Sequence, residues 1–297
     1  MNINKKSFFS LKDLRDFEPN KPSYAVLGKP IAHSLSPLFQ NAAFKKLSLD
    51  AVYIRVEVAE EELEQAVNLL VEKGFLGWNC TSPLKKKMAS LCNALDKSAT
   101  LLGSVNTVLR KPNNFLVGYN TDGSGWAIDV KKTFSIDFSK LTITVLGTGG
   151  VGEAIAKQSA LEGSKKLILL NRTYDNALTV ARNIEKNFNV EVQVLSLTEQ
   201  NLKNSIIKTD LFIQSLPLLP FKSLNFQWEK ILHPHILIYD LLYFPMPTPI
   251  ESIAKRIGCK ATNGLGMLIE QGALSFSIWT GLKAPIETMR KSVYLEV

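Results

Sequence analysis

From Tyr24 onward, apolar and polar positions switch repeatedly between the spacing of a strand and the spacing of a helix. Tyr24-Ala25-Val26-Leu27-Gly28 is short, apolar and closed by glycine, which predicts a buried strand. Pro37 opens a helical stretch through Ala43 and Leu47, a position where proline suits a first turn. Ala51 to Val58 alternates as a strand. Glu60 to Lys73 places Leu63, Ala66, Val67 and Leu70 on one helical face, and Gly74 ends it. Gly77-Trp78-Asn79-Cys80 reads as another strand edge. This β-α-β-α order implies a parallel or mixed α/β sheet.

A second α/β unit follows Asp122. Trp126 to Lys132 predicts a connecting helix, and Leu141 to Leu146 a β-branched strand running into Gly147. Val151 to Glu162 has helical character, and Leu167 to Leu170 is again strand-like. Further strands are expected at Asp210 to Ile213 and at Ile236 to Asp240. The chain closes with helices over about Gly266 to Thr280 and Ile286 to Tyr294. The expected architecture is α/β. An N-terminal α/β domain spans 1–123 and is rejoined by C-terminal helices, 264–297. A Rossmann-type doubly wound domain, 124–263, is inserted between them.

Within that frame, Gly147-Thr148-Gly149-Gly150-Val151-Gly152 fits G-x-G-x-x-G between a predicted strand and a predicted helix. Gly147 makes the tight turn and Gly149 lets a pyrophosphate approach the backbone. Gly152 lets helix and strand pack closely, and the N–H groups at Gly150 and Val151 face the phosphates. The next strand ends at Asn171-Arg172-Thr173, with Arg172 twenty residues beyond Gly152. A carboxylate there would hold the ribose of NAD, whereas arginine attracts the 2′-phosphate of NADP. NADP is therefore the expected cofactor.

Four polar segments accompany the first unit: Ser34-Leu35-Ser36, Asn79 to Lys85, Val105-Asn106-Thr107 and Asn120 to Gly123. Two hydroxyls one residue apart before a helix can bind a carboxylate. They can equally be helix caps. Lys85 and Asp122 could form a proton-transfer pair. Lys85-Lys86-Lys87 could also be a solvated basic face, and Asn120-Thr121-Asp122-Gly123 an ordinary turn.

Composition narrows the field. The chain has 297 residues and a net charge of +8, which favours anionic partners without naming them. No apolar run is long enough for a membrane span. The basic start, Met1 to Lys6, lacks the apolar core of a secretory signal. Three cysteines without a CxxC, and only three histidines, argue against a disulfide framework and a metal site. A reducing cytoplasm is the expected compartment. No nucleic-acid-binding module is recognisable.

Taken together, these segments resemble the shikimate dehydrogenase family. The resemblance is carried by Gly28 to Pro37, Asn79 to Lys85, Ala99 to Thr107, Gly118 to Gly123, the Gly147 turn, Asn171-Arg172-Thr173, Tyr239 to Tyr243 and Asn263 to Gln271, in the family's order. It implies reversible, NADPH-dependent reduction of 3-dehydroshikimate to shikimate, by a monomer or homodimer acting on a small molecule. It further implies that Ser34 and Ser36 bind the substrate carboxylate and that Thr81, Asn106 and Gln271 bind ring hydroxyls. Lys85 and Asp122 would be the catalytic pair, Tyr243 would lie near substrate and nicotinamide, and Gly264 would border the cofactor.

Three departures from the family pattern stand out. Asn176 occupies the place of a second arginine. Cys80 and Ser82 replace apolar residues around Thr81. Gln214-Ser215-Leu216-Pro217 replaces Asn-Ala-Thr-Ser, where hydrogen bonds to the cofactor could be lost. The alternatives are an NAD-using quinate/shikimate dehydrogenase and a non-catalytic ligand sensor on the same fold.

Overall fold

The computed structural model describes residues 8–295; the basic segment Met1 to Lys6 lies outside the described residues. The chain divides into two compact units. One runs through Thr121 and resumes at Ile269; the other is Asp122–Leu268.

The first unit contains β1 (Phe8–Ser10), α1 (Leu11–Asp16), β2 (Ser23–Gly28), α2 (Ser36–Lys46), β3 (Val52–Glu57), α3 (Leu63–Glu72) and β4 (Gly77–Cys80). It continues with α4 (Lys85–Leu91), β5 (Ala94–Leu95), α5 (Lys97–Leu102), β6 (Thr107–Lys111) and β7 (Phe115–Tyr119). The strands form one mixed sheet in the order β1-β3-β2-β4-β6-β7-β5, with β6 antiparallel to both neighbours. The Gly77 to Cys80 segment is therefore not at an edge. It pairs with β2 on one side and β6 on the other, and all four residues are buried.

Strand alternation sends the two faces to different cores. Ala25, Leu27, Ile54 and Val56 join Leu63, Leu70, Phe75 and Met88 in one cluster. The other face carries a run of aromatic rings: the Tyr24–Phe44 centroids are 5.3 Å apart and those of Tyr24–Trp279 5.0 Å. Phe44–Phe276 is 5.4 Å and Tyr53–Trp279 is 5.8 Å. Such ring pairs add roughly 0.5–1.5 kcal/mol beyond area burial.

The second unit contains α6 (Asp122–Phe134), β8 (Thr142–Leu146), α7 (Gly150–Leu161), β9 (Lys166–Asn171), α8 (Tyr174–Asn187), β10 (Glu191–Ser196) and α9 (Glu199–Ile206). After these come β11 (Leu211–Gln214), α10 (Leu218–Lys222), α11 (Trp228–Ile231), β12 (Leu237–Asp240), α12 (Pro249–Ile257) and β13 (Lys260–Thr262). All its strands are parallel, in the order β10-β9-β8-β11-β12-β13. Counted within the unit this is 3-2-1-4-5-6, the doubly wound order whose crevice lies where the winding reverses, between β8 and β11. Helix α6 starts at Asp122, four residues before the expected Trp126. Asp122 and Gly123 thus form a first helical turn rather than a free turn.

Helix α13 (Leu265–Thr280) begins in the second unit and carries the chain back to the first, where α14 (Ile286–Tyr294) packs on α2. The Trp279 indole N–H donates to Val108 O at 2.9 Å and pins α13 to the sheet. Among the described residues, no helix is long and apolar enough to cross a membrane.

A Cβ at Gly77 would stand 2.4 Å from Trp279 Nε1 and 2.6 Å from Val108 O. Gly77→Ala should therefore lower stability by about 1–3 kcal/mol, the usual cost of overpacking. An unchanged urea midpoint would show that α13 does not depend on this contact.

Candidate active site

In the first unit, the loop after β2 carries Ser34 and Ser36 to the start of α2. Ser36 is the first helical residue and is buried; Leu35 holds the cap position and makes no side-chain cap bond. The Ser34 hydroxyl accepts from Ser36 N at 3.3 Å. The two serines are thus adjacent, but neither caps the helix in the ordinary way.

Behind them stands β3. Arg55 donates from Nε and Nη2 to Ser34 O at 2.9 and 2.6 Å. Two residues earlier on the same face, the Tyr53 hydroxyl donates to Asn79 Oδ1 at 2.6 Å and is hydrogen-bonded by Ser36. Complete burial pushes the Tyr53 phenol well above its ordinary value, so it remains a neutral donor.

Thr81 and Lys85 lie one turn apart at the end of β4. Leu84 N donates to Thr81 O at 2.9 Å, and Lys85 opens α4, half-buried. Lys85 O accepts from Val105 N at 2.9 Å, which anchors the segment beside Asn106.

Asn106 and Gln271 meet in a buried polar network. Asn106 Nδ2 donates to Thr121 Oγ1 at 2.9 Å and to Gln271 Oε1 at 3.3 Å. Thr121 N donates to Asn106 Oδ1 at 2.9 Å. Asn79 Nδ2 reaches Thr107 Oγ1 at 3.0 Å and Ser275 Oγ at 3.1 Å, and Ser275 lies one helical turn after Gln271. Tyr53, Asn79, Thr107, Thr121 and Ser275 were not singled out individually from the sequence. The available signal was polar residues at inward positions of apolar strands and Gln271/Ser275 at i, i+4 spacing.

In the second unit, Gly147 closes β8 with φ +95°, a backbone that favours glycine. A Cβ on Gly152 would stand 2.2 Å from Gly147 O. Only hydrogen fits there, as the packing role of that glycine demands. A Cβ on Gly149 would meet nothing within 4 Å, so the outer side of the turn is open. Gly149 caps α7 without any side-chain bond, leaving N–H groups for an anion, and Gly150 and Val151 begin the helix. The Thr148 hydroxyl is buried there without a partner. Asn171 Oδ1 accepts from Thr148 N at 3.1 Å and so ties the end of β9 to the turn.

Arg172 and Thr173 follow, both exposed, and the Thr173 hydroxyl does not cap α8. Gly264 is buried and donates to Leu242 O at 2.9 Å, while Tyr243 is half-buried in the intervening loop.

In the Gln214-Ser215-Leu216-Pro217 segment Gln214 is buried, Ser215 and Leu216 are half-buried and Pro217 is exposed. The Ser215 hydroxyl reaches Leu146 O at 2.9 Å and Gly147 O at 2.7 Å, bracing the glycine turn across the sheet's reversal point. Gln214 Nε2 donates to Leu216 O at 3.0 Å and Asp240 Oδ1 at 3.1 Å, and Leu216 N donates to Gln214 Oε1. These side chains hold the chain's own backbone and the neighbouring strand.

An open glycine turn at the reversal point of a 3-2-1-4-5-6 sheet, with an exposed arginine after the second strand, defines a dinucleotide-binding α/β protein. Comparison with known proteins narrows that class. Residues 26–108 match the shikimate dehydrogenase substrate binding domain, 129–217 the shikimate/quinate 5-dehydrogenase domain and 264–294 the shikimate 5′-dehydrogenase C-terminal domain. The chain is 39% identical to shikimate dehydrogenase (NADP(+)) of Alkaliphilus metalliredigens, covering 90% of this chain and 94% of that one. It is similar to the structure of shikimate 5-dehydrogenase from Listeria monocytogenes in complex with shikimate and NAD, with TM-score 0.85, 31% identity and coverage of 93% and 98%. It is also similar to the Thermus thermophilus enzyme in complex with NADP(H) and shikimate, with TM-score 0.80, 28% identity and coverage of 93% and 100%. The chain belongs to the shikimate dehydrogenase family.

Asp240 gives a pH signature to the second unit. Burial raises its carboxyl to about 6, with Glu251 adding to the rise, while Thr248, Leu242 and Gln214 pull it partly back. Its Oδ2 is buried without a hydrogen bond of normal geometry. An unfolded aspartate titrates near about 3.9. The stability tied to the protonated form is therefore present at low pH and is lost as pH rises from about 4 through about 6, on the order of 2–3 kcal/mol in all. Between about pH 4 and about pH 7.5, which brackets that window, the urea midpoint should fall more for wild type than for Asp240→Asn. Parallel profiles would rule this out.

Proposed function

We propose that this chain catalyses the reversible reduction of 3-dehydroshikimate to shikimate with NADPH. The observation that carries the reading is the family membership together with the network joining Asn106, Thr121 and Gln271 in the first unit. Ser34 and Ser36 bind the substrate carboxylate, and Thr81, Asn106 and Gln271 accept from and donate to ring hydroxyls. Tyr243 borders the reacting groups as a neutral phenol, kept so by burial.

The residues at the glycine turn suit NADP: an open backbone at Gly149, uncapped N–H groups at Gly150 and Val151, the unpartnered Thr148 hydroxyl, and an exposed Arg172 for a 2′-phosphate. Gly147 and Gly152 shape that turn, Asn171 ties it to β9, Thr173 offers a hydroxyl and Gly264 borders it. When bound, NADPH supplies the hydride. Lys85 acts as the general acid: its ammonium stabilises the negative charge growing on the ketone oxygen and gives it a proton. In the oxidative direction the neutral amine takes the proton back. Asp122 orients Lys85 and accepts from a substrate hydroxyl. The enzyme works in the cytoplasm, as a monomer or homodimer, on small anionic substrates.

Following absorbance at about 340 nm, the nicotinamide band, tests the reading directly. Shikimate with NADP should be oxidised with higher kcat/KM than quinate, and NADP should outperform NAD. No turnover of either acid would sink the enzyme reading, and a preference for quinate with NAD would replace it. Lys85→Ala should lower kcat by about 10²–10⁴-fold, the usual contribution of a general acid–base group, with the fold intact. Arg172→Ala should raise KM for NADP about tenfold, the scale of one charge-assisted hydrogen bond, and leave KM for NAD nearly unchanged. A uniform rise for both cofactors would show that Arg172 does not read the phosphate.

A further inference from the structure

We infer that Arg55 is a positioning residue for the Ser34–Ser36 pair and that it tunes how strongly this site takes a carboxylate. The inference rests on the reading of that pair as the substrate's carboxylate site.

Arg55 is only 1% exposed, a rare state for a guanidinium. Its strand position is fixed from both sides, opposite Val26 on β2 and Phe8 on β1. The guanidinium fork then places two donors, Nε and Nη2, on one backbone acceptor, Ser34 O. A two-pronged grip sets the direction of that carbonyl, and with it the backbone that aims the Ser34 hydroxyl. Tyr53, on the same face of β3, engages Ser36. The Tyr53 backbone is itself clamped by Asn41 of α2, at 2.8 Å to its N–H and 2.9 Å to its carbonyl. One strand thus holds both serines while α2 is locked against that strand.

A neutral donor would satisfy a carbonyl equally well. Burying a cation costs desolvation energy that a neutral donor to Ser34 O would not. What the cation adds is positive potential in a poorly screened interior, beside two hydroxyls proposed to receive an anion. Arg55 therefore orients the pair and favours a charged ligand over a neutral one.

The test compares shikimate with its methyl ester, in wild type, Arg55→Lys and Arg55→Met. Wild type should prefer shikimate. Arg55→Met should raise KM for shikimate about tenfold with a much smaller change in kcat, as for loss of one charge-assisted contact. KM for NADP should not move, the preference over the ester should shrink, and Arg55→Lys should recover part of it. Equal losses for acid and ester, or an unchanged KM, overturn the inference while leaving the proposed activity standing. Failure of wild type to turn over shikimate overturns both.

Should the buried substitutions not fold, the wild-type protein answers alone. The Arg55 Nε–H should give a slowly exchanging ¹⁵N–¹H signal that shifts on adding shikimate and shifts less with the ester. A signal indifferent to both ligands, or shifted equally by them, overturns the inference.

Discussion

The first unit is organised by the need to pair buried polar groups. Asn79, Asn106, Thr107, Thr121, Gln271 and Ser275 are all buried, and each finds partners within the group. An unpaired member would cost roughly 1–3 kcal/mol. That requirement joins Thr121 to a helix residue 150 positions further along the chain, Gln271 of α13. The return of the C-terminal helix thus completes a network that the N-terminal strands alone could not satisfy. The same closure holds the amides and hydroxyls of the group in fixed directions, which their proposed role in recognising a polyhydroxylated ring demands.

In the second unit the corresponding constraint is steric. Helix α7 approaches β8 so closely that Gly152 has room only for hydrogen. Ser215, arriving from β11, fills the remaining space and hydrogen-bonds the turn's carbonyls. The departure from the family's Asn-Ala-Thr-Ser thus has an internal explanation. Gln214 and Ser215 brace the strand ends, and Gln214 also donates to the buried Asp240. Leu216 packs its side chain against the apolar core beside β11 and brings no side-chain hydrogen-bonding group.

Local rules made much of this legible. The short apolar runs at Tyr24 and Leu167, the β-branched run at Leu141, the alternation from Ala51 and the glycine turn follow from side-chain pattern and backbone sterics, and the structure has all of them. The antiparallel pair β6–β7 escaped because its turn residues, Pro112-Asn113-Asn114, interrupt a weak alternation. The central place of Gly77 to Cys80 escaped because neighbours in a sheet are set by topology, which four residues do not encode. Arg55 escaped for a related reason. In Val52-Tyr53-Ile54-Arg55-Val56-Glu57, alternation alone reads Arg55 as an outward residue, yet the loop after β2 covers that face and supplies an acceptor. The start of α6 at Asp122 was hidden by Gly123 and Gly125, which weaken any helix signal.

Cofactor choice follows from what is missing as much as from what is present. Arg172 is exposed, so solvent and salt screen its attraction for a phosphate, and Asn176 adds no second charge. On attraction alone, discrimination would be modest. The stronger lever is the lack of a carboxylate at the end of β9: Asn171 commits its amide to Thr148 N and Thr173 O, inside the turn. In the proposed site NAD would lack the carboxylate at the strand end that holds its ribose diol, while NADP would meet the charge of Arg172 there, with Asp175 further on in the first turn of α8. On that proposed reading a second cation at position 176 would add attraction for the phosphate and offset the neighbouring Asp175.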